Sequence, residues 1–426
     1  MPNKPPISAN PAPAAAPTAS FAALRHPGFR ALVGTYLLAM MADNIEHVIS
    51  YWMAFQKFQS PALGGFAVVS HWLPFLLFSV PVGALADRVD PRRLIQCGML
   101  LFMTASAGWS YFFITDTLQM WHAMLLLVMH GCAGVLWQGP TQMLLHDTVP
   151  TQDLPSGVRL LATARYLGVL IGPAVGGAIM LGIGPRYGLL LNLLFYLPAL
   201  LWLWRAPYGP RFRAAAAATA GRAVRGFADL ARAVTDVRAS RPLASMILLA
   251  GLASFFVANS YQAQMPGFAR DLGHGDPGTT YSMLLAADAA GALLAGLLME
   301  SLGGVLRVAP STAVGMCMLW CLSLAGFAAT GSYPLALLLL FAAGVFELSF
   351  SSMAQTLVQL NAPAASRGRV IGLFNMSALG LRAFAGITVG LGGSAIGIHA
   401  SLAASALSLL AVLLLLRLWL ARRVPA

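Results

Sequence analysis

Cut wherever charges or proline and glycine clusters interrupt it, the chain falls into twelve apolar runs, nearly all long enough to cross a bilayer. The first six cover roughly 29–52, 63–86, 94–115, 119–145, 157–182 and 186–205. The second six cover roughly 242–264, 279–300, 309–331, 333–360, 369–393 and 395–420. A helix needs about 20 apolar residues to span hydrocarbon. Inside lipid a backbone must satisfy its own hydrogen bonds, which leaves helices or closed barrels, and continuous runs of this length select helices. The expected fold class is therefore an all-α membrane protein with twelve transmembrane helices in two six-helix bundles. With 58% hydrophobic residues and 9% charged, the chain lies far outside the range of a soluble domain.

The net charge of +12 takes its meaning from where the basic residues lie. Lys4, Arg25 and Arg30 precede the first run, and Arg88, Arg92 and Arg93 follow the second. The middle segment holds Arg205, Arg211, Arg213, Arg222, Arg225, Arg232, Arg238 and Arg241. Arg367 and Arg369 follow the tenth run, and Arg417, Arg422 and Arg423 close the chain. The alternate loops offer only Lys57, Arg186 and Arg270. The positive-inside rule puts both termini and the middle segment in the cytoplasm, so the charge is a topology signal rather than a nucleic-acid footprint. The expected division is a disordered Pro/Ala-rich cytoplasmic tail (1–28), a six-helix half (29–205), a cytoplasmic linker (206–241), a second six-helix half (242–420) and a short tail (421–426). The Ala-rich stretch Ala214–Ala220 reads as part helical, with arginines free to touch anionic lipid and no role beyond tethering. Arginine so outnumbers lysine that a GC-rich bacterial genome, and hence a bacterial inner membrane, is expected. Cys97, Cys132, Cys317 and Cys321 lie inside apolar runs at no metal-ligand spacing, so neither a disulfide framework nor a metal set is expected.

The halves repeat. A shift of 213 places Gly83 on Gly296, Asp87 on Glu300 and Pro150 on Pro363. Between the second and third runs the chain reads PVGALADRVDPRRL, Pro81 to Leu94. Here Gly83, Leu85, Asp87, Arg88, Arg92 and Arg93 resemble the loop motif of the major facilitator superfamily, with Asp90-Pro91 standing where that family has Gly-Arg. The resemblance implies two six-helix halves around a midplane substrate site. It also implies a latch in which Asp87 docks on the cytoplasmic end of helix 11, where a helix N-terminus favours a carboxylate. Glu300 would be its degraded copy. The alternative is a charged turn that only sets topology.

The fifth run carries Gly168, Gly172, Pro173, Gly176 and Gly177 in the spelling GxxxGPxxGG. It resembles the fifth-helix motif of antiporters and efflux proteins in the same superfamily. Glycines one turn apart let another backbone approach closely; the expected partner is the small stripe Ala287, Gly291 and Ala295 in the eighth run. Generic packing is the plainer reading.

A charge at the bilayer centre costs at least about 2.5–3.5 kcal/mol, so the acids and arginines left there are candidates for function. Asp43, about two-thirds through the first run, is the first choice for a proton or cation site, because burial disfavours a carboxylate's charge. Residues 43, 46, 47 and 50 share its face. Glu46 reads equally well as a solvated rim residue. Glu347 in the tenth run is the second choice. Asp288 is expected to serve coupling or to pair with Arg165 or Arg382, which would neutralise acids or meet an anionic substrate. Asn44, Trp137, Gln138, Asn259, Tyr261, Gln262 and Asn375 are candidate cavity lining, with Trp52, Phe255 and Phe256 as apolar walls. His47, His71 and His130 read as satisfied interior histidines ahead of a proton relay.

The start of the chain, LRHPGFRALVGTYLLAMMADN, resembles the siderophore- and drug-exporter branch of the superfamily. That implies a monomeric secondary transporter, not an enzyme, needing no cofactor beyond the proton gradient. It would export an amphipathic small molecule, a siderophore foremost, by proton antiport with alternating access. Multidrug efflux by antiport and nutrient uptake by symport are the alternatives.

Overall fold

A computed structural model describes residues 20–58, 61–209, 227–258, 260–273, 277–301, 308–385 and 392–421. Lys4, Arg211, Arg213, Arg222, Arg225, Arg422, Arg423, the Ala214–Ala220 stretch, Asn259 and the loop at 302–307 fall outside them. Six long helices build the first half: α1 (Pro27–Phe58), α2 (Pro61–Ala86), α3 (Pro91–Thr115), α4 (Met120–Thr148), α5 (Leu154–Gly182) and α6 (Pro185–Arg205). Their starts follow local chemistry. Pro91 and Pro185 sit in the first helical turn, where a missing N–H costs nothing, and the Asp90 side chain caps α3 by accepting from the Arg92 N–H.

The short α7 (Phe227–Arg238) comes next, and then the second half. It comprises α8 (Arg241–Phe256), α9 (Ser260–Asp271), α10 (Pro277–Ser301), α11 (Pro310–Ala329), α12 (Tyr333–Asn361), α13 (Arg367–Asn375), α14 (Arg382–Ala385), α15 (Gly392–Ile396) and α16 (Ile398–Ala421). Among the described residues nine helices are long and apolar enough to span a membrane. The long, acid-bearing α1 and two interrupted spans complete the set of twelve.

The interruptions correct the reading of the seventh and eleventh runs as single helices. The seventh breaks between α8 and α9, with Ala258 at φ 41°. The eleventh passes from α13 through a π-turn, Met376–Gly380, into α14. Such turns widen a helix and are frequent at functional sites. Neither break carries a proline or glycine signal at its centre.

Packing follows the sequence repeat. In the first half α2 lies on α4, and α3 on α4 and α6; in the second α10 lies on α12, and α11 on α12 and α16. Each half has its own apolar core, centred on Phe102, Trp137 and Tyr196 in one and on Phe268, Trp320 and Phe327 in the other. The halves meet where α5 crosses α10 and where α2 crosses α13 and the π-turn.

The described part of the linker, α7, docks on the second half. Ala233 and Val237 of α7 enter the second half's core. Asp229, 0% exposed, faces Arg369 of α13 at 3.9 Å, and Asp236 lies 3.6 Å from the same guanidinium. Arg232 turns back toward Asp229.

Candidate functional site

The first half holds a polar cluster at the middle of α1. That helix runs to Phe58, six residues beyond the apolar run read from the sequence, so Glu46 stands about three turns from its end rather than at a rim. Glu46 is 1% exposed and Asp43 8%. Between them His130 arrives from α4, its Nε2 2.8 Å from Asp43 Oδ1 and its Nδ1 2.8 Å from Glu46 Oε1. Ser106 of α3 donates to the other Glu46 oxygen, and Asn192 of α6 donates to Ser106 Oγ at 3.3 Å and to the Ala42 carbonyl at 3.0 Å. Each carboxylate–imidazole contact needs one proton, so the trio holds two protons among three groups. Removing one leaves a carboxylate oxygen facing an imidazole nitrogen lone pair, and the cluster has lost a hydrogen bond and gained a negative charge.

The other two histidines join it. His47 Nδ1 is 3.9 Å from Asp43 Oδ2. The His47 ring lies 4.6 Å from that of His130 and 5.0 Å from that of His71 of α2, centroid to centroid. The three rings thus form one cluster with the acids, in which His130 is satisfied at both nitrogens. The acid partner of His47 lies four residues away on its own helix, whereas those of His130 lie on another helix, 84 and 87 residues away, and no local spacing announces them.

A second acid pair lies in the other half. Asp288 of α10, 3% exposed, accepts from Tyr261 Oη at 3.1 Å and from Gln262 Nε2 at 2.9 Å, both on α9. The expected ion pair of Asp288 with Arg165 or Arg382 does not form; neutral donors satisfy it instead. The acid within electrostatic range of both arginines is Glu347 of α12, with Tyr166 and Tyr261 beside it. Arg382, just after the π-turn, donates through Nε to the Ala378 carbonyl at 3.1 Å. Its guanidinium lies 5.0 Å over the ring of Trp72 on α2, which carries it from one half to the other.

The other lining candidates divide. Tyr261 and Gln262 serve Asp288. Asn375 is buried at the seam between halves, accepting from Gln142 at 3.1 Å. Gln138 is half-buried, while Trp137 packs against Tyr36 and Phe102 and, with Tyr36, Thr141 and Trp202, lines a small pocket within the first half. Asn44, half-buried, faces α5. Its amide donates to the Met40 carbonyl, and its Cβ rests on the glycine face of α5.

That face has a different partner from the one expected. A Cβ on Gly168 would stand 2.6 Å from Met40 Cβ, and one on Gly172 2.6 Å from Asn44 Cβ and 3.0 Å from the Met41 carbonyl. Gly176 lies against Ile45. The motif therefore seats α5 on α1 within one half. Gly291 of the proposed stripe packs instead on Phe341 of α12. A Cβ added to Gly177 would meet nothing within 4 Å, and Pro173 is accommodated inside α5.

At the end of the bundle where α1 begins and α16 ends, the loop after α2 meets α13. The Asp87 carboxylate accepts from the backbone N–H groups of Gly368 at 2.6 Å and Arg369 at 3.2 Å, and Gly83 lets the two backbones approach. Burial pushes the Asp87 carboxyl up to about 6, outweighing those donors and the charges of Arg369 and Arg88. The helix N-terminus is thus not the larger influence on it. Glu300 makes the corresponding contact across α5 and α10: Arg159 Nε donates to it at 2.7 Å and Ser156 Oγ to its other oxygen. The shift of 213 that relates Asp87 to Glu300 also relates Arg369 to Ser156. The basic tail of the loop serves a neighbour. Arg92 clasps Asp90 at 2.6 Å and donates to the Ala206 carbonyl at the start of the linker, while Arg93 Nη1 donates to Gln96.

Twelve spans in two repeated halves, closed at one end by paired acid contacts and carrying acids at mid-span, describe a transporter frame. Residues 18–425 match the family model described as transmembrane secretion effector. The chain belongs to this major facilitator family.

Members of the wider superfamily share its shape. The human organic anion transporter MFSD10 superposes with a TM-score of 0.68 at 15% identity, covering 91% of this chain and 99% of that one. The transporter FucP in its outward conformation gives 0.72 at 12%, covering 92% and 98%. A bacterial homologue of the iron transporter ferroportin, in its outward-facing state, gives 0.72 at 16%, covering 91% and 97%. These likenesses show the fold. An uncharacterized MFS-type transporter, y4rN, of Sinorhizobium fredii is 28% identical over 169 residues, which is 38% of this chain and only 40% of that relative's length.

Proposed function

We propose that this secretion-effector family member exports an amphipathic small molecule, a siderophore or a compound of like chemistry, across a bacterial inner membrane in exchange for protons. The observation that carries the reading is His130 held at 2.8 Å from both Asp43 and Glu46. Such a trio gains or loses one proton at a time, and each exchange makes or breaks a contact between α1 and α4. The family description supports outward transport, as does the resemblance of the α5 motif to that of antiporters. Arg165 and Arg382 beside Glu347 offer both signs of charge to one ligand, which suits a zwitterionic or hydroxamate-bearing cargo.

By the distribution of basic residues the closed end is cytoplasmic, so this conformer faces outward. A proton from outside joins Asp43 and the cluster loses a negative charge. The Asp87 and Glu300 contacts then release, the site turns inward, the proton leaves and cargo binds. The cargo's differential affinity for the two states supplies the return.

The test is mass spectrometry of cells and medium, wild type against a deletion strain, with and without iron. A chelator that accumulates in mutant cells and falls in their medium is the expected result. Complementation with Asp43→Asn at equal membrane level should leave about a tenth of the export or less, a loss of ~1.4 kcal/mol or more. Undiminished export by that variant removes Asp43 from the mechanism. A nutrient that fails to enter the deletion strain, with no chelator moving, overturns export.

A further inference from the structure

We infer that His47, His71 and His130, with the Asp43 carboxylate, form a binding site for a divalent first-row transition-metal cation. The inference goes beyond the proposed export, shares the His130–Asp43 contact with it, and is read by metal binding rather than by transport. Three helices supply the ligands, His47 from α1, His71 from α2 and His130 from α4, and one ring nitrogen of each lies within 4.8 Å of the others. Zinc–nitrogen bonds of about 2.0–2.1 Å would draw them together by roughly an ångström, which side-chain rotation of the half-buried His47 and His71 supplies. Asp43 is already placed as the fourth ligand, 2.8 Å from His130 Nε2 and 3.9 Å from His47 Nδ1.

Two further features belong to a metal centre. His71 Nδ1 is buried without a hydrogen-bond partner, an expense that a coordinate bond would remove. His130 is oriented through its other nitrogen by Glu46, which Ser106 in turn holds. A carboxylate behind a ligating histidine fixes its ring and raises its basicity. The cation replaces the proton shared by His130 Nε2 and Asp43, and that proton passes to solvent. The charges of Asp43 and Glu46 then balance a dication. Three imidazoles and one carboxylate suit zinc, cobalt or nickel; calcium and magnesium require oxygen ligands.

The experiment uses the full chain in detergent, stripped by chelator and free of any histidine tag. Titration with Co²⁺ should give visible d–d absorption saturating at one ion per chain. Calorimetry with Zn²⁺ in buffers of different ionisation enthalpy should count about one proton released per ion. His71→Ala should weaken binding at least about tenfold, and His47→Ala/His71→Ala should abolish the absorption. His399→Ala, whose ring pairs with Asp271 elsewhere, should leave binding unchanged, and excess Ca²⁺ or Mg²⁺ should not compete. His71→Gln serves if the alanine variant does not fold. Absence of the absorption in the wild type overturns the site, as does an unchanged titration in the folded double variant. Because the readout is binding, a failure here leaves the export result untouched, and failure of export leaves this result standing.

Discussion

Glu300 and Arg159 show what a single buried contact contributes. Both are nearly water-free, and Arg159 Nη2 already lacks a partner. Removing one member of such a pair costs about 3–5 kcal/mol, because the other is left buried and charged. Glu300→Ala should therefore open the closed end. A cysteine placed at Thr163, against Gly296, should react with an impermeant maleimide from that side several times faster than in the Glu300 parent. The double change Arg159→Met/Glu300→Leu should restore slow labelling. At this scale the sequence was partly legible. With 9% charged residues, every acid in an apolar run stands out, so Asp43, Glu46, Asp288 and Glu347 were visible as a set. Their partners were not. Asp288 was matched to an arginine by sign alone, while the fold supplies Tyr261 and Gln262. His130 lay too far along the chain for its two carboxylates to be read from spacing.

Among the helices, the contact between α5 and α1 is the most constrained by side-chain size. Gly172→Val would drive its branches into Asn44 and the Met41 carbonyl, and backbone cannot yield as a flexible side-chain end does. Overpacking of this kind costs about 1–3 kcal/mol or more. Thermal unfolding in detergent should show a clear drop for Gly172→Val and little change for Gly177→Ala, whose added methyl meets nothing. The glycine spacing was legible, but the choice of partner was not, since small residues recur on several helices. The stripe on α10 is occupied: Gly291 packs on Phe341 of α12, and Gly344 of α12 packs back on Asp288. The two interrupted spans were also hidden. An apolar run looks the same whether it holds one helix or two, and Ala258 with positive φ gives no warning.

For the molecule as a whole, the two acid contacts at the closed end form one device related by the repeat, and Asp87 makes it sensitive to pH. Released into water, its carboxyl returns to the ordinary value of 3.8; docked, it titrates at about 6. The docked conformer therefore binds the proton more tightly. Its advantage is full below the undocked value and is lost as pH rises through about 6, a swing of at most about 3 kcal/mol. Fluorescent or spin labels across the α2–α13 contact should report a more closed population near pH 5 than near pH 8, and Asp87→Asn should flatten that profile. The twelve-helix plan, the repeat and the loop motif were all legible, because each is written in hydropathy or at fixed offset. The docking of α7 was not, since nothing in its own residues names Arg369 as the counter-charge.

That docking decides which half owns the middle of the chain. With Ala233 and Val237 in the second core and Asp229 against Arg369, α7 belongs in space to the second half, although it lies within the polar joint. A cut just after α7 would therefore carry away a helix that the second half needs, whereas a reporter joined ahead of Phe227 would leave that helix with its core.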